Sequence, residues 1–263
     1  LTIPRTAGPH PVALLISGSG PQDRNQEIFG HRPFLVIADF LTRQGIAVLR
    51  VDDRGVGGTG GRRDSATIAD YASDARSAVR FLRRHRAIDG QRIGLIGHSE
   101  GGLVASLVAE ADPGLAFVVL LGTPALSGAE ISMLQARTML RAAGAPPEAI
   151  EAQTRIQAAV LDVIARVSDA SIARAQIREI LRRELIAAGD SAATQLPLLE
   201  RQIEPQVRRS LSPWARFFLA HDPRPGLAAL RMPVLALYGG TDTQVPATEN
   251  AVEAERALAA GAN

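Results

Sequence analysis

The sequence predicts an α/β fold: a mostly parallel sheet with helices on both faces, interrupted by one long helical insertion. Three observations carry this. Apolar runs of strand length recur at residues 11–16, 46–51, 93–97, 117–121 and 233–238, and near-continuous apolarity marks strands covered on both faces. Amphipathic stretches of helical period separate them, the alternation that builds parallel sheets. From residue 126 to 212 the strand pattern stops and only helical runs remain, a stretch too long for a loop. The expected division is therefore an α/β core of residues 1–125 and 213–263, with a helical lid over 126–212.

Taken in order, residues 1–4 read as the tail of an edge strand, and 11–16 as a buried strand. Ser17-Gly18-Ser19-Gly20-Pro21-Gln22-Asp23-Arg24 follows, a glycine-rich turn whose backbone can expose amides. Residues 34–44 have helical period and stop at Gly45, a suitable helix terminator. Strand 46–51 runs into Asp52-Asp53-Arg54-Gly55-Val56-Gly57-Gly58-Thr59-Gly60-Gly61. Gly55, Gly57 and Gly60 formally make G-x-G-x-x-G. A dinucleotide site needs that motif directly between strand and helix, whereas here three residues precede it and Gly61-Arg62-Arg63-Asp64 delay the helix. Asp52 and Asp53 read as loop-bracing partners of Arg54.

Residues 67–86 form an amphipathic helix with Ile68, Tyr71, Ala72, Ala75, Val79 and Leu82 on one face. Its last turn, Arg83-Arg84-His85-Arg86, reads as a solvated helix end that complements the helix dipole. In the insertion, helical runs fall at 131–143, 147–167, 170–188 and 192–209, with Pro146-Pro147 and Gly189-Asp190 as breaks. Met133 and Met139 read as packing residues. Strand 233–238 leads into Gly239-Gly240-Thr241-Asp242-Thr243-Gln244-Val245-Pro246, and residues 249–260 form a last helix.

The stretch with the most chemistry is Ile93-Gly94-Leu95-Ile96-Gly97-His98-Ser99-Glu100-Gly101-Gly102. It reads as strand, Gly-x-Ser-x-Gly, then helix. A serine at a sharp strand-to-helix turn has strained backbone angles, and glycines two residues away on either side let neighbouring backbone approach. The turn holds the Ser99 hydroxyl above the sheet edge as a nucleophile. The Glu100 amide, at the new helix N-terminus, points where an oxyanion would form.

Composition sets the remaining bounds. A chain of 263 residues, 46% apolar, can bury a sizeable core. No run approaches the ~20 apolar residues of a membrane span, so a soluble protein without a membrane span is expected. All 29 cationic residues are arginine, and the net charge is only +2. The high isoelectric point therefore reflects missing lysine rather than a nucleic-acid surface, and a P-loop lysine is excluded. With no cysteine there is no disulfide, no thiolate metal site and no cysteine nucleophile. No metal or organic cofactor is expected. The chain begins at Leu1 without a basic-plus-apolar leader; oligomeric state and compartment, cytoplasmic or exported, are left unassigned.

Ser17-Gly18-Ser19-Gly20-Pro21-Gln22-Asp23-Arg24, Asp52-Asp53-Arg54-Gly55-Val56-Gly57, Gly97-His98-Ser99-Glu100-Gly101-Gly102 and Gly240-Thr241-Asp242-Thr243-Gln244-Val245-Pro246 together resemble the α/β-hydrolase superfamily. The nearest resemblance is to its bacterial serine esterase branch, related to dienelactone-hydrolase-like and acyl-peptidase-like enzymes. It covers residues 1–125 and 214–263, and the helical insertion only poorly. It implies Ser99 as nucleophile, Asp242 as the acid of a catalytic triad, and an oxyanion hole from the amides of Ser19 (Gly20 as neighbour alternative) and Glu100. The alternative for Asp242 is an aspartate that stabilises its own turn. The implied activity is cleavage of small or short-acyl carboxylic esters through an acyl-enzyme. A thioesterase, a serine peptidase, or a non-catalytic module lacking the base are the alternatives.

In that superfamily the chain order is serine, acid, histidine, and no histidine follows Asp242. His10, His31, His85, His98 and His221 all precede it. His98 reads as packing beneath the turn, His221 as lying on the return from the insertion, and His31 as a residue near the oxyanion loop. The general-base histidine is expected beyond Asn263, in a natural protein longer at both ends, and the 263-residue chain is expected to be nearly inactive.

Overall fold

The computed structural model describes residues 1–187 and 196–261. The elements run β1 (His10–Ile16), α1 (Pro33–Arg43), β2 (Ala47–Arg50), α2 (Ile68–Arg84), β3 (Ile88–His98), α3 (Glu100–Ala111), β4 (Phe117–Leu121), α4 (Gly128–Ala142), α5 (Pro147–Arg166), α6 (Ala170–Ala187), α7 (Leu196–Ser210), α8 (Pro213–Ala220), α9 (Arg224–Ala229), β5 (Val234–Leu237) and α10 (Ala247–Ala260). Two compact units result, Leu1–Leu126 with Asp222–Asn263, and Ser127–His221.

In the first unit five strands form one sheet in the order β2-β1-β3-β4-β5, every pair parallel. Thr2 adds only an isolated antiparallel bridge to Val48. Side chains alternate across the sheet. Ala13, Leu15, Val48 and Ile96 face one way and pack on Phe34 and Ala38 of α1. Val12, Leu14, Leu95, Val118 and Leu120 are buried on the other face, where α2 and α3 pack on the strands and on each other, α9 on α3, and α10 on α9. Helices thus flank both faces, and every βα connection delivers its loop to the same, carboxyl edge of the sheet.

Local chemistry sets the helix ends. Thr67 and Asp70 form a reciprocal capping box at the start of α2, and Ser127 and Glu130 form one at α4. Ser212 caps α8 by accepting from the Ala215 amide at 3.1 Å. Pro33 and Pro147 open α1 and α5, where the missing N–H costs no helical bond. Gly45 takes the left-handed conformation after α1 at φ 87°.

The Ser127–His221 unit has its own core of Val160, Val163, Ile164, Ala173, Ile177, Leu181, Ile203 and Val207. Arg216 of α8 donates to the carbonyls of Ile164 and Val167 at 3.2 Å, satisfying acceptors at the end of α5. The helices α8 and α9 were not expected from the sequence, and Met139, expected to pack, is 49% exposed. The expected helix start at Ala192 and the break at Gly189-Asp190 lie outside the described residues.

At Gly128 the first turn of α4 meets α8 backbone to backbone: a Cβ there would lie 1.7 Å from the Phe218 carbonyl oxygen. Gly128→Ala is expected to destabilise the protein by about 1–3 kcal/mol in urea unfolding. Gly60→Ala, with no heavy atom within 4 Å of its added carbon, is the control and should leave the midpoint unchanged. Equal midpoints for the two variants would refute the close approach.

Candidate active site

Strand β3 ends at His98 and α3 begins at Glu100, so Ser99 alone makes the reversal. Its backbone sits at φ 53°, ψ −121°, a conformation that costs a non-glycine residue about 1–3 kcal/mol. Three glycines permit it. A Cβ at Gly97 would lie 2.2 Å from the Gly101 carbonyl oxygen, and one at Gly101 would lie 2.2 Å from that of Ile16. One at Gly102 would strike the Thr123 hydroxyl at 1.8 Å. The Ser99 amide donates to the Leu121 carbonyl at 2.8 Å, which fastens the turn to the end of β4. Ser99 is half-buried, and its hydroxyl has no hydrogen-bond partner among the described residues. Glu100 opens α3, its amide at the positive end of the helix dipole. Its side chain is buried, and its charge, together with burial, which contributes more, raises the Tyr71 phenol above its ordinary range.

The loop after β1 lies against this turn. A Cβ at Gly18 would come within 3.0 Å of His98 Nδ1 and 3.3 Å of Ser99 Cβ. Ser19 is exposed; its carbonyl accepts from Gln22 Nε2 at 3.1 Å, while its N–H carries no hydrogen bond among the described residues. Gly20 follows at φ 102°.

Two carboxylates at the end of β2 hold that loop. Asp53 accepts from the Ser17 hydroxyl at 2.7 Å and the Gln22 amide at 3.0 Å, and burial pushes its carboxyl up. Asp52 accepts from the Arg24 amide at 2.8 Å and from the Arg24 guanidinium at 3.0 and 2.6 Å; that guanidinium holds its carboxyl well below the usual range. The expected pairing of both aspartates with Arg54 is corrected: Arg54 pairs instead with Asp74, at 2.8 and 2.9 Å. The side chain of Asp52 points across the 55–60 loop, where a Cβ at Gly57 would lie 2.6 Å from its Oδ2. Gly57 thus packs on a carboxylate rather than leaving room for a phosphate, and the next helix opens only at Ile68, well beyond the place a dinucleotide fingerprint requires.

Asp242 sits in the turn after β5. Its Oδ1 accepts from the amides of Gln244 at 2.8 Å and Val245 at 3.0 Å. Its Oδ2 faces Gly122, where a Cβ would lie 3.3 Å away. Gly122 directly follows Leu121, the acceptor of the Ser99 amide, so Ser99 and Asp242 flank the end of one strand, β4. The histidines are scattered. His10 starts β1, at the opposite edge, with its Nε2 3.1 Å from the Thr6 carbonyl. His85 closes α2 beside Phe81, His31 is exposed, and His221 closes α8 against Phe217. His98, expected only to pack, has Nδ1 2.8 Å from Gln26 Nε2.

Residues 33–261 match the family described as serine aminopeptidase, S33. The chain belongs to this family. As an S33 chain it is a member of the α/β-hydrolase superfamily, and its parallel sheet with flanking helices is that fold. A segment of 113 residues is 34% identical to Esterase EstD of Thermotoga maritima, covering 42% of this chain and 26% of that protein; the match thus spans about a quarter of the relative's length. Among solved structures, the proline iminopeptidase of Mycobacterium smegmatis aligns with 98% of this chain and 82% of its own, at 19% identity and TM-score 0.56. The Pyrococcus furiosus esterase Pf2001 aligns with 97% and 70%, at 16% identity and TM-score 0.57. Both share the fold of the S33 chain.

Beyond the residues picked out by motif, the structure places Gln26 against His98, Ser17 against Asp53, and Thr123 against Gly102. A cavity of about 530 Å³ beside it runs between β2, the 52–61 loop and α2, lined by Leu49, Val51, Tyr71 and Phe81 but by neither Ser99 nor Asp242. No helix among the described residues is long and apolar enough to cross a membrane. The strain at residue 99 is measurable: Ser99→Gly is expected to stabilise the protein by about 1 kcal/mol in urea unfolding, and Ser99→Ala is not. Equal stabilities would show that the left-handed turn is relaxed.

Proposed function

We propose that this chain carries the nucleophile and acid of a serine carboxylesterase acting on small or short-acyl esters. The observation that carries the reading is the position of Ser99: a strained turn at the end of the central strand, its hydroxyl without a hydrogen-bond partner among the described residues, with a carboxylate one strand away.

In this mechanism Ser99 Oγ attacks the ester carbonyl carbon while an imidazole takes its proton. The amides of Ser19 and Glu100 hold the tetrahedral oxyanion, aided by the dipole of α3. Collapse expels the alkoxide, which takes the proton from the imidazolium, and leaves an acyl-Ser99 ester. Water attacks that ester with the same base, releasing the acid and restoring the serine. Asp242 Oδ2 orients the imidazole, its Oδ1 being engaged by its own turn. Neither Ser99 Oγ nor Asp242 has a histidine as hydrogen-bond partner among the described residues, so the imidazole is the part of the reading that the test must supply. The helical unit inserted in the chain between β4 and β5 is proposed as the lid that selects the substrate. The family description favours one second reading, release of an N-terminal amino acid by the same acyl chemistry.

The test is fluorophosphonate labelling together with turnover of nitrophenyl acetate and butyrate, with and without added imidazole. Because the base is not supplied by the chain, turnover is read as the part that depends on added imidazole: Ser99→Ala should abolish labelling and that imidazole-dependent turnover, and Asp242→Asn should lower it. Equal labelling of wild type and Ser99→Ala would end the proposal. Faster release from aminoacyl nitroanilides than from the esters would transfer it to the aminopeptidase reading.

A further inference from the structure

Gln26 is the buried side chain that this chemistry leaves unexplained. It lies in the loop between β1 and α1 at φ 51°, a left-handed conformation unusual for glutamine, and is 7% exposed. Its Oε1 accepts from the Gly18 amide at 3.2 Å, and its Nε2 lies 2.8 Å from His98 Nδ1. The first bond fixes the second. An amide N–H can only donate, so the oxygen of the carboxamide must face Gly18 and its NH₂ must face His98. His98 Nδ1 is then an acceptor, and the ring is the neutral tautomer protonated at Nε2. Two neighbours of Ser99, one in sequence and one in space, are thus joined through one carboxamide.

The rest of the loop is anchored elsewhere, by Asp53 at Ser17 and Gln22 and by Asp52 at Arg24. Among the described residues, Gln26 makes the side-chain hydrogen-bond tie between the loop and the end of β3. Resting on the reading of Ser19 as an oxyanion donor, we propose that Gln26 is a positioning residue that sets the Ser19 amide opposite Ser99, and that protonation of His98 releases it. A protonated ring presents Nδ1–H to the Gln26 NH₂, two donors face to face. Turning the carboxamide over satisfies His98 but sets the NH₂ against the Gly18 N–H. No orientation of Gln26 satisfies both the Gly18 amide and a charged His98.

The surroundings favour the neutral ring. Burial lowers its affinity for a proton, and the carboxylate of Asp242, from the turn after β5, opposes this less strongly. From β4 the residue paired with His98 is Leu121, and from the loop Gly18 and Gln26 touch it; none of these is charged. With the folded pKa below the ordinary 6.5, the unfolded chain binds the extra proton first as pH falls. The tie is therefore complete above about pH 6.5 and is lost as pH drops through the folded value.

The experiment compares wild type, Gln26→Leu and Gln26→Glu by imidazole ¹⁵N NMR, hydrogen exchange at the Gly18 amide, and the pH profile of kcat for a nitrophenyl ester. Wild type should show His98 Nδ1 unprotonated near neutral pH, a Gly18 amide that exchanges faster on acidification, and a matching acid limb in kcat. Gln26→Leu should lower kcat about ten- to a hundredfold with KM changed less than about threefold. In Gln26→Glu the carboxylate accepts from both Gly18 and a protonated His98, so His98 should titrate at higher pH and the acid limb attributed to it should disappear. A protonated Nδ1 in wild type, or Gly18 exchange and His98 titration unmoved in both variants, overturns the proposal, and these readouts need no turnover. Fluorophosphonate labelling of wild type no greater than of Ser99→Ala would instead sink the esterase reading and, with it, the catalytic consequence of the tie.

Discussion

The close approach of α3 to the end of β1 is the constraint from which the carboxyl edge of the sheet follows. Gly101 stands where any Cβ would collide with the carbonyls of Ile16 and Ser17, and Gly97 where one would collide with Gly101 itself. Ser99 is the single residue between β3 and α3, so the reversal falls entirely on it, and it adopts a conformation its side chain disfavours. What opposes the strain is burial. Leu103, Val104, Ala105, Val108 and Ala109 of α3 are all nearly inaccessible, and the Ser99 amide extends the β3–β4 ladder one step beyond the strand by donating to Leu121. A helix anchored that firmly can impose a strained turn at its first residue.

The loop facing that turn is held by charge rather than by packing. Asp52 and Asp53 are consecutive, yet their carboxyls are shifted in opposite directions. The guanidinium and amide of Arg24 stabilise the Asp52 carboxylate, whereas burial dominates at Asp53 and favours its neutral form. Successive side chains at a strand end point to opposite sides, which lets one strand end brace the loop at two separate points, Gln22 and Arg24. Gly57 belongs to the same arrangement, since its missing Cβ leaves room for the Asp52 carboxylate.

Much of the fold was legible because its signals are local. All five strands show as apolar runs, the apolar face from Ile68 to Leu82 announces α2, and Gly-x-Ser-x-Gly between a strand and a helix announces the turn at Ser99. The short helices α8 and α9 were not legible: six to eight residues carry too little periodicity to separate them from a proline-containing loop. The partner of Arg54 was misjudged for a different reason. Neighbouring opposite charges in sequence suggested a local pair, but the chain folds α2 across the loop and brings Asp74 from 20 residues away. Gln26 had no signal at all. A polar residue in a loop reads as solvated, and its importance arises only when Gly18 and His98, 72 residues further along the chain from Gln26, converge on its two ends.

Asp242 shows why a structural and a functional reading of one residue need not compete. A lone aspartate two residues beyond a glycine pair is what a turn requires, and Oδ1 does serve the turn by accepting from Gln244 and Val245. Those bonds also fix the carboxylate plane. With one oxygen held by its own backbone, the other faces Gly122, at the strand end that receives the Ser99 amide. A freely rotating carboxylate would lose entropy on orienting a partner, and would do so at a cost to any transition state it served. The turn bonds remove that cost before a substrate arrives, so the residue's role in the loop is what would make it effective beside Ser99.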